Sequence, residues 1–109
     1  DGETSRDFTF VENVVQANIK ALFAPLEKHE VVNIACGGMT SLNQLWKMIS
    51  SMLDVDMDPL YQPQRTGDIK HSLASIEKAQ MLFGYHPFIE MKSGLHETIE
   101  WGKNTFVIA

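Results

Sequence analysis

Two short stretches of this chain carry residue types that could grip an anionic ligand. Ser5-Arg6-Asp7-Phe8 and Arg65-Thr66-Gly67-Asp68 each place an arginine near a carboxylate, the first just before an alternating segment and the second in a long polar loop. An arginine stays charged and presents a planar fork of donors, which suits a diphosphate. A carboxylate accepts from neighbouring hydroxyls, which suits a ribose. Gly67 could let the backbone approach a ligand closely or take a positive φ. On composition alone, Arg–Asp pairs of this kind read more readily as solvated surface ion pairs of little energetic weight.

The other candidates fare worse. Asp54-Val55-Asp56-Met57-Asp58 begins like a calcium loop, yet Pro59 and Arg65 stand where that loop needs its glycine and its closing glutamate. A solvated acidic turn is the better reading. His29, His71, His86 and His96 show no zinc spacing among themselves or with Cys36. A G-x-S-x-G elbow for hydrolysis is absent from the sequence. Gly37-Gly38 ahead of a helix start could mark an anion-binding terminus, although a plain strand-to-helix turn is the better reading. No metal site and no catalytic residue is expected in this chain.

Positioning these groups falls to a mainly helical set of elements. Phe8-Thr9-Phe10 alternates as a short strand would. Val11, Val14, Val15, Ile19, Leu22 and Phe23 then recur at helical spacing, with Glu12, Asn13, Gln16 and Lys20 on the opposite side and Pro25 ending the run. Val31-Val32-Asn33-Ile34-Ala35 is a β-branched run that reads as a strand. Ser41 and Gln44 have capping-box spacing, and Leu42, Leu45, Trp46, Ile49, Met52 and Leu53 continue as one apolar stripe. Leu60-Tyr61-Gln62 fits a short strand, and Gln64 to Ser72 a loop. Ser75 predicts the cap of a short helix through Ile76, Ala79 and Phe83, closed by Gly84 and Pro87. Met91, Leu95, Thr98, Ile99 and Gly102 mark a last helix. The fold class is therefore α+β, mainly helical with two or three short strands. Strands this short rarely make a stable sheet alone, so they would sit more comfortably extending a sheet elsewhere.

The 109 residues suit one small domain, residues 1–109. A net charge of −5 argues against a general nucleic-acid partner, which would normally meet a clustered basic face. One cysteine excludes an internal disulfide, and no apolar run approaches the ~20 residues that cross a bilayer. A cytoplasmic protein without membrane partners is expected. The chain starts without Met on a polar turn, and we expect a piece of a longer polypeptide.

Several segments, in order, carry a resemblance. Gly2-Glu3-Thr4-Ser5-Arg6-Asp7-Phe8 through Val11-Glu12-Asn13-Val14 looks like the G-x-x-x-R-D-[FY]-x-x-V-x-[DN]-V segment of the extended short-chain dehydrogenase/reductase family. Val32-Asn33-Ile34-Ala35-Cys36-Gly37-Gly38-Met39-Thr40-Ser41-Leu42 and Arg65-Thr66-Gly67-Asp68-Ile69-Lys70-His71-Ser72 resemble two further segments of it. Gly84-Tyr85-His86-Pro87 and Gly94-Leu95 to Trp101 resemble its closing pattern. Together they cover nearly the whole chain.

Within that family the sequence is most similar to UDP-N-acetylglucosamine and UDP-glucose 4-epimerases. The resemblance implies a small C-terminal substrate-binding domain of an NAD-dependent Rossmann-fold parent, most often a homodimer. It implies that Arg6 and Arg65 hold the diphosphate and that Asp68 accepts from the uridine ribose. Phe8 stands where many members have Tyr near the ribose, so a hydroxyl is lost there. Ser72 stands where some members carry a bulky Tyr that excludes N-acetylated sugars, which favours UDP-GlcNAc/UDP-GalNAc. The glycine-rich turn that binds NAD and the Tyr-x-x-x-Lys pair of the reaction are both missing from this sequence. Substrate binding without NAD binding or catalysis is the expectation for the chain alone, together with self-association through uncovered apolar surface. A dehydratase or decarboxylase of the same family, or a non-catalytic binding module, would share these segments.

Overall fold

A ribbon of two short strands joins stretches of chain that lie far apart in sequence. The computed structural model describes residues 1–106, and among them are four helices and one two-stranded sheet, an α+β arrangement. Strand β1, Ser5–Arg6, pairs antiparallel with β2, Thr40–Ser41, with Ser5 opposite Ser41 and Arg6 opposite Thr40. Leu42 and Asn43 extend the seam by donating their N–H groups to the carbonyls of Thr4 and Gly2, each at 2.9 Å. On the other edge the Ser5 N–H donates to the Lys70 carbonyl at 2.8 Å, and the Ser72 N–H donates to the Ser5 carbonyl at 3.2 Å. Residues 2–6 are thus held between 40–43 on one side and 70–72 on the other.

The pairing therefore falls upstream of the alternating Phe8-Thr9-Phe10, which is irregular here. Thr9 Oγ1 turns back to donate to the Asp7 carbonyl, and Phe10 serves as the residue before the first helix. Backbone partners, which alternation does not report, decide where a two-residue strand forms. The same holds for Val31–Ala35 and Leu60–Gln62, both irregular among the described residues. Val32 and Ile34 instead pack against the small core.

The helices follow the local signals more closely. Helix α1, Val11–Phe23, ends at Ala24 just before Pro25. Helix α2, Leu42–Leu53, starts on a complete capping box: Ser41 Oγ accepts from the Gln44 N–H at 3.1 Å, and Gln44 Oε1 accepts from the Ser41 N–H at 2.9 Å. Helix α3, Glu77–Phe83, has Ile76 at its N-cap, one residue later than the sequence predicts, and the Ser75 hydroxyl accepts from the Glu77 N–H at 3.4 Å. Gly84 ends α3 at φ 67°, a left-handed turn that glycine adopts without penalty. Helix α4, Met91–Thr105, carries Gly94 where Phe10 crosses it; a methyl there would meet Phe10 Cβ at 2.6 Å.

The core is small. Ala17, Ala79 and Tyr85 are buried together, flanked by Val32, Ile34, Ile76 and Phe83. Tyr85 donates its hydroxyl to the Ala35 carbonyl at 2.7 Å, and burial, helped by nearby Cys36 and Asp7, pushes its phenol above the ordinary tyrosine range.

Helix α1 overturns its periodic reading. Asn13, expected on the solvent side, is 0 % exposed, while Leu22 and Phe23 of the apolar stripe are 77 % and 80 % exposed. Asn13 faces inward because it satisfies both backbone groups of Ile89: its amide donates to the carbonyl at 2.8 Å and its oxygen accepts from the N–H at 3.1 Å. The stripe has no comparable cover. The radius of gyration is 16.9 Å, against about 13 Å for a compact chain of this length. The chain is a flattened body, 52 × 35 × 18 Å, that leaves much of its apolar surface uncovered. Among the described residues no helix is long and apolar enough to cross a membrane.

Candidate functional site

The strand seam brings the two arginine-bearing stretches together. Arg65 to Asp68 forms a tight turn, with the Asp68 N–H donating to the Arg65 carbonyl at 3.2 Å and Gly67 at φ 80°. That backbone angle requires glycine. From the neighbouring strand, Arg6 Nη2 donates to Asp68 Oδ1 at 3.1 Å, with the two side chains 32 % and 34 % exposed. Arg6 Nη1 also donates to the carbonyls of Ser5 and Lys70, at 2.7 and 3.4 Å. So Arg6, 59 or more positions away in sequence, touches the turn that carries Arg65.

Beside this turn lies an open cleft of ≈ 410 Å³. Its lining includes Arg65, Asp68 and Lys70 as well as Leu42, Trp46 and Tyr61. Arg65 is exposed in the cleft wall. A volume of this order falls within the usual range for small-ligand pockets. Cationic forks next to a carboxylate, with apolar side chains in the same lining, form a site able to take a polyanion joined to a hydroxylated and partly apolar body.

The remaining expected site residues, Phe8 and Ser72, do not line that cleft. Phe8 lines a separate apolar hollow of ≈ 180 Å³ with Phe10, Leu45, Met91, Gly94, Leu95 and Thr98. Ser72 is exposed, and its N–H is tied to Ser5 at the end of the seam. Three features escape a reading of residue types alone. Asp7 turns away from Arg6, and its carboxylate accepts from the N–H groups of Cys36 and Gly37 at 3.0 and 2.8 Å. Those amides are the ones an anion at the Gly37-Gly38 turn would need, and a carboxylate already occupies them. The turn is therefore structural, and it does not fit a cofactor pyrophosphate. Second, Ser5 Oγ and His71 Nδ1 lie 2.7 Å apart across the seam. Third, Trp46 and Tyr61 stand at the cleft, and their spacing of fifteen positions gave no signal.

No family model matches the chain. Individual proteins do. A protein of Methanocaldococcus jannaschii assigned as a UDP-glucose 4-epimerase is 36 % identical over 104 residues, covering 95 % of this chain and 33 % of its own length. The crystal structure of UDP-glucose 4-epimerase with UDP-glucose from Thermotoga maritima superposes with a TM-score of 0.90 at 36 % identity, over 96 % of this chain and 33 % of that one. Over nearly its whole length the chain is homologous to part of the UDP-sugar 4-epimerases, consistent with a C-terminal piece of an extended short-chain dehydrogenase/reductase. A third similarity points the same way. UDP-N-acetylglucosamine 4-epimerase from Methanobrevibacter ruminantium, in complex with UDP-N-acetylmuramic acid, gives a TM-score of 0.88 at 36 % identity over 97 % of this chain and 34 % of that one. The chain spans about a third of the length of the relatives it matches.

Among these epimerases the sequence segments quoted above acquire physical reasons. The R-D pair splits its work, Arg6 reaching Asp68 while Asp7 locks the Gly37 turn. The glycine of the R-T-G-D stretch holds a positive φ, and the second glycine of the closing pattern, Gly94, admits Phe10.

Proposed function

We propose that this chain is the substrate-binding part, residues 1–109, of an NAD-dependent UDP-sugar 4-epimerase working in the cytoplasm. Arg65 and Arg6 bind the diphosphate, and Asp68 accepts from the ribose hydroxyls. The observation that carries the reading is that Arg65 and Asp68 line one cleft and that Arg6, from a stretch far away in sequence, reaches Asp68. In the free protein Arg6 and Asp68 satisfy each other, so an arriving nucleotide exchanges that pair for its own phosphate and hydroxyl contacts. A half-exposed pair contributes only about 0–1 kcal/mol, so the exchange is cheap.

The cofactor is held elsewhere in the protein. NAD supplies the hydride acceptor and donor when bound; the residues here hold and orient the sugar nucleotide against it, and hydride transfer depends on that orientation. Phe8 offers the ribose no hydroxyl, and it lines a hollow apart from the cleft. Ser72, small and exposed, leaves room for an N-acetyl group, which favours UDP-GlcNAc and UDP-GalNAc over their unacetylated counterparts. The uncovered stripe of α1 seats against the rest of the protein.

Calorimetric titration of UDP-GlcNAc into the full-length protein tests this. Arg65→Ala should weaken binding about ten-fold or more, in line with loss of a charge-assisted contact. Equal affinity in both proteins removes Arg65 from the site and the reading with it.

A further inference from the structure

The strand seam carries a side-chain contact that the nucleotide reading does not use. Ser5 Oγ lies 2.7 Å from His71 Nδ1 and 3.5 Å from Met39 Sδ. Ser5 is 6 % exposed, whereas His71 reaches the surface, and neither residue lines the ≈ 410 Å³ cleft. A hydroxyl can donate or accept, so the pair holds whichever ring nitrogen of His71 carries the proton.

Ser5 is also where the backbones of the two stretches are tied. Its N–H donates to the Lys70 carbonyl at 2.8 Å, and its carbonyl accepts from the Ser72 N–H at 3.2 Å. The Arg6 guanidinium rests on the same two carbonyls, Nη1 donating to Ser5 at 2.7 Å and to Lys70 at 3.4 Å, while Nη2 reaches Asp68 Oδ1 at 3.1 Å. The register of residues 70–72 on β1 therefore sets the meeting of Arg6 with Asp68. Two backbone bonds specify a register weakly, because a slipped ladder forms bonds of the same kind. A slip of one residue moves the edge by about 3.3 Å and turns its side chains to the other face, enough to part Arg6 from Asp68. A slip of two sets Ile69 or Leu73 against the buried Ser5 hydroxyl, and neither side chain can pair with it. The imidazole of His71 can, and it does so in the observed register.

We infer that His71 is a positioning residue for nucleotide binding: its bond to Ser5 locks residues 70–72 in register on β1 and so holds the Arg65–Asp68 turn against Arg6. The inference rests on the nucleotide reading above. His71 acts through Ser5, from outside the cleft.

Calorimetric titration of UDP into the full-length protein tests it. His71→Ala should weaken UDP about three- to ten-fold, the worth of one hydrogen bond, with the number of binding sites per chain unchanged. Loss of folded protein would instead lower the number of sites and leave the affinity of the rest intact. Ser5→Ala should weaken UDP by a similar factor, and adding His71→Ala to it should change the affinity by less than about two-fold, since both remove the same link. His71→Asn, whose amide can meet the hydroxyl in place of Nδ1, should recover most of the loss. Unchanged affinity in His71→Ala, a fall in site number alone, effects that multiply in the double variant, or His71→Asn binding no better than His71→Ala overturns the proposal. Arg65→Ala separates it from the reading beneath it. If Arg65→Ala weakens UDP and His71→Ala does not, the positioning role fails and the diphosphate reading stands. If Arg65→Ala binds UDP as wild type does while Ser5→Ala and His71→Ala weaken it without multiplying, the assignment of Arg65 fails and the positioning role stands.

Discussion

Removing the amide of Asn13 should damage this fold more than removing any of the exposed valines beside it. Asn13 is fully buried on α1 and closes a two-bond ring with the backbone of Ile89, at 2.8 and 3.1 Å, with a third, weaker contact to Cys36 Sγ at 3.6 Å. This ring pins the segment before α4 to α1. In Asn13→Ala the Ile89 N–H and carbonyl lose their partners. Each orphaned group costs about 1–3 kcal/mol when dry, and Ile89 is only partly buried, so water can reach it and the lower half of that range applies. The sum is about 2–4 kcal/mol, with little apolar gain from alanine to offset it. Val14→Ala on the exposed stripe should cost well under that in the isolated chain. Urea unfolding followed by circular dichroism reads both values. Asn13→Asp supplies an internal check. Its carboxylate can accept from the Ile89 N–H but must face the Ile89 carbonyl, so its deficit against wild type should shrink as the pH falls and the acid becomes a donor. A loss below about 0.5 kcal/mol in Asn13→Ala, or a pH-independent deficit in Asn13→Asp, would refute the reasoning.

Other outcomes follow from the same geometry. Gly94→Ala gains about 1 kcal/mol of helix propensity but drives a methyl to 2.6 Å from Phe10, an overpacking that costs about 1–3 kcal/mol, so the variant should melt lower than wild type by calorimetry. Tyr85 has its phenol raised by burial, so its contribution to stability is fully present below pH 10, the ordinary value, and is lost as the pH rises through the folded value. The melting temperature should therefore fall above pH 10, and Tyr85→Phe should show a shallower fall; an equal slope in both would clear Tyr85 of the effect. Residues 1–109 expressed alone should self-associate through the uncovered α1 stripe, read by light scattering against concentration, and Leu22→Glu with Phe23→Lys should reduce it. A clean monomer at high concentration would contradict this.

Local signals in the sequence were enough for four helices, because capping and termination are short-range. Ser41 and Gln44 form their box within one turn, Gly84 supplies its own left-handed angle, and Pro25 ends α1 without help from elsewhere. The arginines and Asp68 were legible as chemistry from residue type, as was their likeness to one family. Their meeting was implied by that likeness alone, because the contact of Arg6 with Asp68 exists only through the seam of residues 2–6 between 40–43 and 70–72, a long-range pairing that leaves no trace in periodicity. The same is true of Asn13. Hydrophobic spacing assigns a helix its apolar face on the assumption that the face finds cover in the same body, and in this chain it does not. A buried amide that completes the hydrogen bonds of a distant backbone outweighs the stripe, and only the tertiary structure could decide which of the two faced inward.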